Sequence, residues 1–159
     1  MDKINDHYLQ INSDYIGCVD DTCLATGELL PVKDTPFDFN KRKRIGQDLE
    51  ADHIQLKNAF GYDHSFVLNG TENQLTLEEP VSGRRLIIST TAPVVQVYTG
   101  NFLKDGCIGK AGRVYENREG VALETQLMPN AINTEENPST ILRKGDKFES
   151  NTKYVFEIM

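Results

Sequence analysis

Short stretches of alternating apolar and polar residues recur along this chain. In residues 94–98, Val95 and Val97 fall on one face of a predicted strand, and Gln96 and Tyr98 fall on the other. Further strand-like stretches lie at 8–12, 75–77, 85–90, 120–126 and 154–158, with turn residues such as Asn-Gly and Thr-Gly between them. Many short strands with frequent turns predict an all-β antiparallel β-sandwich over residues 1–159, as a single domain.

Two details refine this prediction. Residues 79–83 contain Pro and Gly, so the stretches on either side are expected to form a hairpin. In residues 46–59, Leu49, His53, Leu56 and Ala59 give only a broken three-to-four spacing. We therefore expect no more than a short helix or turn there.

Composition limits the classes of function. The chain has 159 residues, 38% of them hydrophobic, and a net charge of −7. The acidic balance argues against a non-specific nucleic-acid binder, so the basic run at 41–44 is expected to be a solvated turn. There is no apolar run of membrane-spanning length and no apolar signal core at the start, which makes the cytoplasm the expected compartment. The three cysteines form no Cys-x-x-Cys pair, so neither a disulfide framework nor a zinc site is expected.

One strand carries a carboxylate that needs an explanation. In residues 120–126 the odd positions Val121, Leu123 and Thr125 share a face, and Glu124 lies on the opposite one. A buried carboxylate is costly unless it is hydrogen-bonded or has a task. Glu124 is therefore a candidate general base, with a solvent-exposed carboxylate on a strand as the alternative.

Three further polar residues lie on strand-like segments: Asp63, His64 and Gln96. Carboxylates and amides together accept and donate hydrogen bonds in the way that a polyhydroxylated ligand requires. Each also has a structural interpretation, since Asp63 could cap a turn, His64 could be an ordinary satisfied polar residue, and Gln96 could lie on a solvated sheet face. His7 and His53 are expected to be structural or on the surface.

Several motifs follow one another along nearly the whole chain. They are Leu9-Gln-Ile-Asn-Ser-Asp14 with residues 19–21, 26–28 and 35–39; Gly61-Tyr-Asp-His-Ser-Phe66; Thr90-Thr91 with Gln96 and Tyr98-Thr-Gly-Asn-Phe102; and Leu123-Glu-Thr-Gln126 with residues 137–140 and 142–143. Together they resemble the aldose 1-epimerases, or galactose mutarotases, whose fold is a large β-sandwich that binds hexoses.

The resemblance implies a role for each matched residue. Glu124 matches the general base, which removes the proton from the anomeric hydroxyl of the sugar. Asp63 and Gln96 match residues that hold sugar hydroxyls, and we predict His64 as a further substrate contact. The implied reaction interconverts the α and β anomers of hexoses such as galactose and glucose by acid–base ring opening, and it needs neither a metal nor a cofactor.

The departures from the family pattern matter as much as the matches. The family's acid histidine lies in a segment before the first motif, so the chain resembles the C-terminal half of a mutarotase and begins abruptly at a strand. Near the site, the sequence has Ala92, Val94, Val97 and Leu127 where the family usually has Glu, Gly, Phe and His. Val94 and Val97 are expected to change how closely a sugar approaches.

Three hypotheses follow from the missing acid. The first is an enzyme whose site is completed by another chain, such as a separately encoded N-terminal half. The second is a non-catalytic carbohydrate-binding protein or degenerate mutarotase remnant. The third is a homodimer that rebuilds the sandwich, with His64 or a water molecule as the acid. No nucleic acid or membrane partner is expected under any of the three.

Overall fold

The computed structural model describes residues 3–104, 108–134 and 140–159. Within these ranges the chain forms ten β-strands and one short α-helix, α1 (Ile54–Ala59). The strands are β1 (Tyr8–Ile11), β2 (Ser13–Val19), β3 (Ala25–Pro31), β4 (Lys43–Arg44), β5 (Asp63–Leu68), β6 (Leu75–Glu79), β7 (Arg84–Thr90), β8 (Val94–Tyr98), β9 (Ala122–Gln126) and β10 (Thr152–Ile158).

The strands assemble into two five-stranded sheets, and every pairing within them is antiparallel. The first sheet has the order β10-β7-β6-β1-β4, and the second has the order β3-β2-β5-β8-β9. The prediction of an all-β antiparallel sandwich is therefore confirmed. Each predicted strand is present, and the predicted hairpin is formed by β6 and β7.

A continuous apolar core fills the space between the sheets. Leu9 and Ile11 of the first sheet and Phe66 and Val97 of the second are at most 1% exposed. Full burial of each such side chain stabilises the fold by about 1.5–3 kcal/mol relative to leaving it in water. The aromatic side chains of the 35–39 segment join this core, where Phe37 stacks edge-on against other rings.

The segment predicted as a short helix or turn contains both. Residues Ile45–Gln47 form a 3₁₀ turn, and α1 begins only at Ile54. At the start of the helix, the His53 side chain accepts a hydrogen bond at 3.2 Å from the backbone N–H of Gln55, which satisfies an otherwise unpaired donor of the helix N-terminus. It ends at Phe60, whose positive φ of 54° breaks the helical path.

The basic run at 41–44 is largely exposed to solvent, as the sequence predicted, but its last two residues are not in a turn. Lys43 and Arg44 form β4, which pairs with β1 at the edge of the first sheet. Glu78, only 4% exposed, accepts hydrogen bonds from Arg42 and Arg85. Lys43 and Arg44 form ion pairs with Asp48 and Asp6, so three of the four basic residues of the run pair with acidic side chains.

Other features of the described residues bear on the classes of function. No helix among them is long and apolar enough to cross a membrane. No group of His, Cys, Asp and Glu within the described ranges could hold a metal ion. Cys18 and Cys23 are free thiols, whereas Cys107 lies outside the described residues.

Candidate functional site

Adjacent strands of the second sheet bring Gln96 and Glu124 together. The two residues are direct cross-strand partners of β8 and β9, so their side chains lie on the same face. Their neighbours Val97 and Leu123 form the next pair and turn to the opposite face, where Leu123 packs against the core. The predicted alternation in 120–126 is therefore confirmed, and Glu124 faces away from the core.

A hydrogen-bonded chain of side chains continues from Gln96 across to β5. The Gln96 Nε2 donates to Asp63 Oδ1 at 2.7 Å, and the Ser65 hydroxyl donates to Gln96 Oε1. Since Asp63 and Ser65 are two residues apart on one strand, both point to the face that carries Glu124. We call these four residues the polar cluster: Asp63, Ser65, Gln96 and Glu124.

The two carboxylates of the polar cluster differ in their surroundings. Asp63 is half-buried, and its desolvation raises the pKa of the carboxyl while the hydrogen bond from Gln96 opposes that rise. Glu124 is exposed and forms no hydrogen bond or ion pair with the described residues. Glu124 is thus a free carboxylate beside a group of polar side chains that already constrain one another.

The size of the polar cluster suits a small polyhydroxylated ligand. Asp63 and Glu124 lie on strands separated by one intervening strand and are offset by two residues along the strands, which places their backbones roughly 12 Å apart at the usual strand spacings. A single hexose with its hydroxyl groups can span such a distance. Along this span the polar cluster offers carboxylate oxygens and an amide to a ligand's hydroxyl groups.

His64 lies on the other face of β5 and is not part of the polar cluster. Its side chain is 0% exposed in the core, and burial lowers the pKa of the imidazole to about 3, with a smaller contribution from nearby His53. Nδ1 accepts a hydrogen bond at 3.1 Å from the backbone N–H of Asp63, which leaves Nε2 to donate to Gln55 Oε1 at 3.3 Å. The structure therefore does not bring His64 to the other predicted site residues, but joins it to the backbone of Asp63.

Sequence reasoning missed one member of the polar cluster, Ser65, and one residue beside it, Cys23. Ser65 carries a hydroxyl that orients Gln96, and period-two alternation from Asp63 could have predicted it. Cys23 reaches the same region from the β2–β3 turn, where it lines a small cavity of about 60 Å³ with Ser65 and Gln96. Nothing in the local sequence indicated this long-range approach.

Two of the positions at which the sequence departs from the family pattern, Val97 and Val94, are buried. Val97 is 0% exposed and faces the core, so the expectation that it changes the approach of a sugar is wrong. Val94 is 1% exposed and packs with Met128 and Ala131, so it too is covered. Part of the last motif, residues 137–139, lies outside the described residues.

Comparisons with known proteins agree with the fold and the motifs. The profile of the family described as aldose 1-epimerase matches residues 2–155. The Homo sapiens galactose mutarotase is 39% identical over 159 residues, a match that covers 98% of this chain but 45% of the relative. The Escherichia coli aldose 1-epimerase is 34% identical and is covered to 45%.

A solved structure agrees with these matches in both fold and coverage. The structure of an aldose epimerase homologue from C. elegans superposes with a TM-score of 0.88 at 30% identity, covering 99% of this chain and 47% of that one. The chain thus spans a little under half the length of the curated relatives it matches.

Proposed function

This chain belongs to the aldose 1-epimerase family, and from that premise we propose that it interconverts the α and β anomers of hexoses such as galactose and glucose. The observation that supports this function best is the free carboxylate of Glu124 beside the interlocked side chains of Asp63, Ser65 and Gln96. The cytoplasm remains the expected compartment.

Glu124 acts as the general base in this proposal. It removes the proton from the anomeric hydroxyl while an acid protonates the ring oxygen, so that the bond between C1 and the ring oxygen breaks and C1 becomes an aldehyde. Rotation about C1–C2 and reclosure with the proton transfers reversed then give the other anomer. Acid–base assistance of this kind is typically worth ~10²–10⁴-fold in rate.

Asp63 and Gln96 position the sugar so that its anomeric hydroxyl faces the base. Asp63 has one carboxylate oxygen beyond the one that accepts from Gln96, and the Gln96 amide has a second N–H. Both can therefore contact sugar hydroxyls without breaking the hydrogen bond between them. His64 does not contact the sugar in this proposal, because its imidazole is enclosed on the core side of β5.

The acid for the ring oxygen is expected from the part of the family fold that this chain does not match. Among the described residues, no histidine lies on the face that carries Glu124, since His64 is buried in the core and His53 caps α1. His7 precedes β1 in the other sheet. We therefore propose that the N-terminal part of the family sandwich, which lies outside the region matched by this chain, completes the site.

The same observation favours the alternative function, a non-catalytic carbohydrate-binding or degenerate mutarotase remnant. Asp63, Gln96 and Glu124 could bind a hexose without any acid at the ring oxygen. A homodimer is the remaining assembly to consider, but the acid would then have to come from water, because His64 is enclosed.

Polarimetry separates these functions. The mutarotation rate of α-galactose and α-glucose should be measured with the chain alone and with a candidate N-terminal half, while calorimetry measures hexose binding by each. Enhancement above the buffer rate only in the mixture is the expected result. Binding without enhancement in either sample favours the carbohydrate-binding alternative, and the absence of both contradicts the proposal and its alternative together.

A further inference from the structure

A small cavity lies at one end of the polar cluster. Ser65, Gln96 and Glu124 are successive cross-strand partners on β5, β8 and β9. Gly17 of β2 extends this row, because a Cβ at Gly17 would lie 3.8 Å from that of Ser65. Gly17, Ser65 and Gln96 all line the cavity, whose volume is about 60 Å³. The row therefore has the cavity at one end and the proposed base at the other.

The cavity depends on the glycine at position 17. A Cβ there would lie 3.2 Å from Sδ of Met128, which also lines the cavity. Gly17 does not have the positive φ that favours glycine, although β2 shifts its register against β3 just after it. A glycine inside a strand weakens the strand, and it often marks a place that a ligand approaches closely. The space at Gly17 is therefore better explained by a ligand than by the backbone.

The size and lining of the cavity indicate which chemical group fits. Its volume of about 60 Å³ is roughly twice what one water molecule occupies in the liquid, so it has room for about two non-hydrogen atoms. The described residues that line it are all uncharged: Ser65, Gln96 and Cys23 supply polar atoms, and Val19 and Met128 supply apolar ones. A neutral group with one carbon and one hydroxyl matches this lining. On a hexopyranose ring, the hydroxymethyl group is the substituent with two non-hydrogen atoms.

We propose that this cavity receives the hydroxymethyl group of the sugar, and that Gly17 thereby makes the site selective for free hexoses over pentoses and hexose 6-phosphates. The inference rests on the function proposed above, because it takes Glu124 as the base at the anomeric hydroxyl. A pentose has no hydroxymethyl group and leaves the cavity without its contacts. A phosphate group exceeds the room in the cavity and brings negative charge against an uncharged lining.

The row of side chains gives the sugar a single orientation. In a hexopyranose, the carbon that carries the anomeric hydroxyl and the carbon that carries the hydroxymethyl group flank the ring oxygen. With the anomeric hydroxyl at Glu124, the ring oxygen lies over Gln96 and the hydroxymethyl group points along the row towards Ser65 and Gly17. Asp63 lies two residues before Ser65 on the same face of β5, so it meets the hydroxyl groups at the opposite edge of the ring.

The test compares sugars that differ only at this substituent. L-arabinose has the ring hydroxyl configuration of D-galactose but a hydrogen atom in place of the hydroxymethyl group, and galactose 6-phosphate carries a phosphate on that group. Calorimetry measures the binding of all three sugars by the wild-type chain and by Gly17→Ala, whose Cβ enters the cavity while the flexible end of Met128 gives way. Gly120→Ala is the matched control, because Gly120 also lacks a positive φ, lies outside the cavity lining and would place its Cβ 3.9 Å from Leu103, at ordinary contact distance.

We expect the wild-type chain and Gly120→Ala to bind galactose at least tenfold more tightly than either other sugar, in line with one buried carbon and one hydrogen bond. Gly17→Ala should lose this preference by binding galactose at least tenfold more weakly, with its affinity for L-arabinose unchanged. Equal binding of galactose and L-arabinose by the wild-type chain, an equal loss of both in Gly17→Ala, or no loss of either overturns the inference and leaves the proposed function standing. Selective binding without mutarotation, with or without an N-terminal half, contradicts only the proposed function, and binding of no sugar contradicts both.

Discussion

The two faces of β5 place similar polar residues in different surroundings. On one face, Asp63 and Ser65 are joined through Gln96 beside the exposed Glu124, with Asp63 half-buried and Ser65 4% exposed. On the other, His64 and Phe66 are both 0% exposed and enclosed by the core. Asp63 and His64 are adjacent in sequence, and both are polar residues that could bind a sugar. Only one of them lies where a sugar could reach it.

The contrast shows that successive residues of one strand can have different roles, one in the stability of the core and the next in binding a ligand. His64 contributes through buried hydrogen bonds and holds the backbone N–H of Asp63, whereas the side chain of Asp63 is left available to a ligand. Substitutions on the core face should therefore change the free energy of unfolding, and those on the polar-cluster face should change sugar chemistry. The predictions below test this separation.

The largest effect is expected for Glu124→Gln. An amide of the same shape cannot take a proton from the anomeric hydroxyl, so the mutarotation rate of any active form should fall by ~10²–10⁴-fold. Because Glu124 forms no hydrogen bond or ion pair with the described residues, the melting temperature should stay the same. Polarimetry and thermal unfolding together check this prediction.

Glu72→Gln is the matched control, because Glu72 is an exposed carboxylate in the turn between β5 and β6. It should leave both the rate and the melting temperature unchanged. An unchanged rate in Glu124→Gln would remove Glu124 from the role of base.

Phe66→Ala tests the core face of the same strand. Phe66 is 0% exposed and packs among Phe37 and Phe39, so its truncation should lower the free energy of unfolding by about 3–5 kcal/mol. Urea unfolding measures the loss. A change below about 1 kcal/mol would show that the core-side face of β5 is not packed as described.

Much of the fold was predictable because local alternation and turn residues decide strand faces. The faces of 94–98 and 120–126 follow directly from period two, as does the common face of Tyr154, Phe156 and Ile158. Which of the two faces meets the core depends on how the sheets pack. The sequence alone was less informative about that choice. Val97 illustrates this, because a residue expected near the sugar is enclosed between the sheets.

The candidate site was predictable in part for the same reason. Asp63, Gln96 and Glu124 came from motif resemblance, and the register of β5, β8 and β9 brings them to one face. Cys23 approaches them through a long-range turn contact that no local pattern encodes. The β4 pairing of Lys43 and Arg44 was missed similarly, since it depends on a strand far along the chain.

The core position of His64 predicts a pH dependence of stability. The folded pKa is lowered to about 3 from the ordinary value of 6.5, so the unfolded chain binds the proton first as the pH falls. The stability contributed by neutral His64 is fully present above about pH 6.5 and is lost as the pH falls towards 3. The loss is at most about 1.4 kcal/mol per pH unit, or about 3 kcal/mol between pH 6.5 and 4.5.

Urea unfolding of the wild-type chain and of His64→Gln at these two pH values measures the effect as a difference between proteins. Carboxylates titrate in both proteins and largely cancel in the comparison. We expect the variant to be less stable at pH 6.5 and to lose less stability on acidification to pH 4.5. Identical slopes for the two proteins would contradict the buried neutral imidazole.

The smallest effect is expected for Ser65→Ala, which acts on the polar cluster without touching the proposed base. Loss of the hydroxyl frees Gln96 Oε1 and leaves the amide held only by Asp63, so hexose binding should weaken about fivefold, in line with one hydrogen bond of about 1 kcal/mol. Ser65→Asn should retain binding, because its amide can donate to the same oxygen. Ser82→Ala, at a serine in the β6–β7 turn, is the control and should bind hexose like the wild-type chain. Calorimetry with galactose measures all three, and equal affinity of Ser65→Ala and the wild-type chain would show that Gln96 needs no orientation by its neighbour on β5.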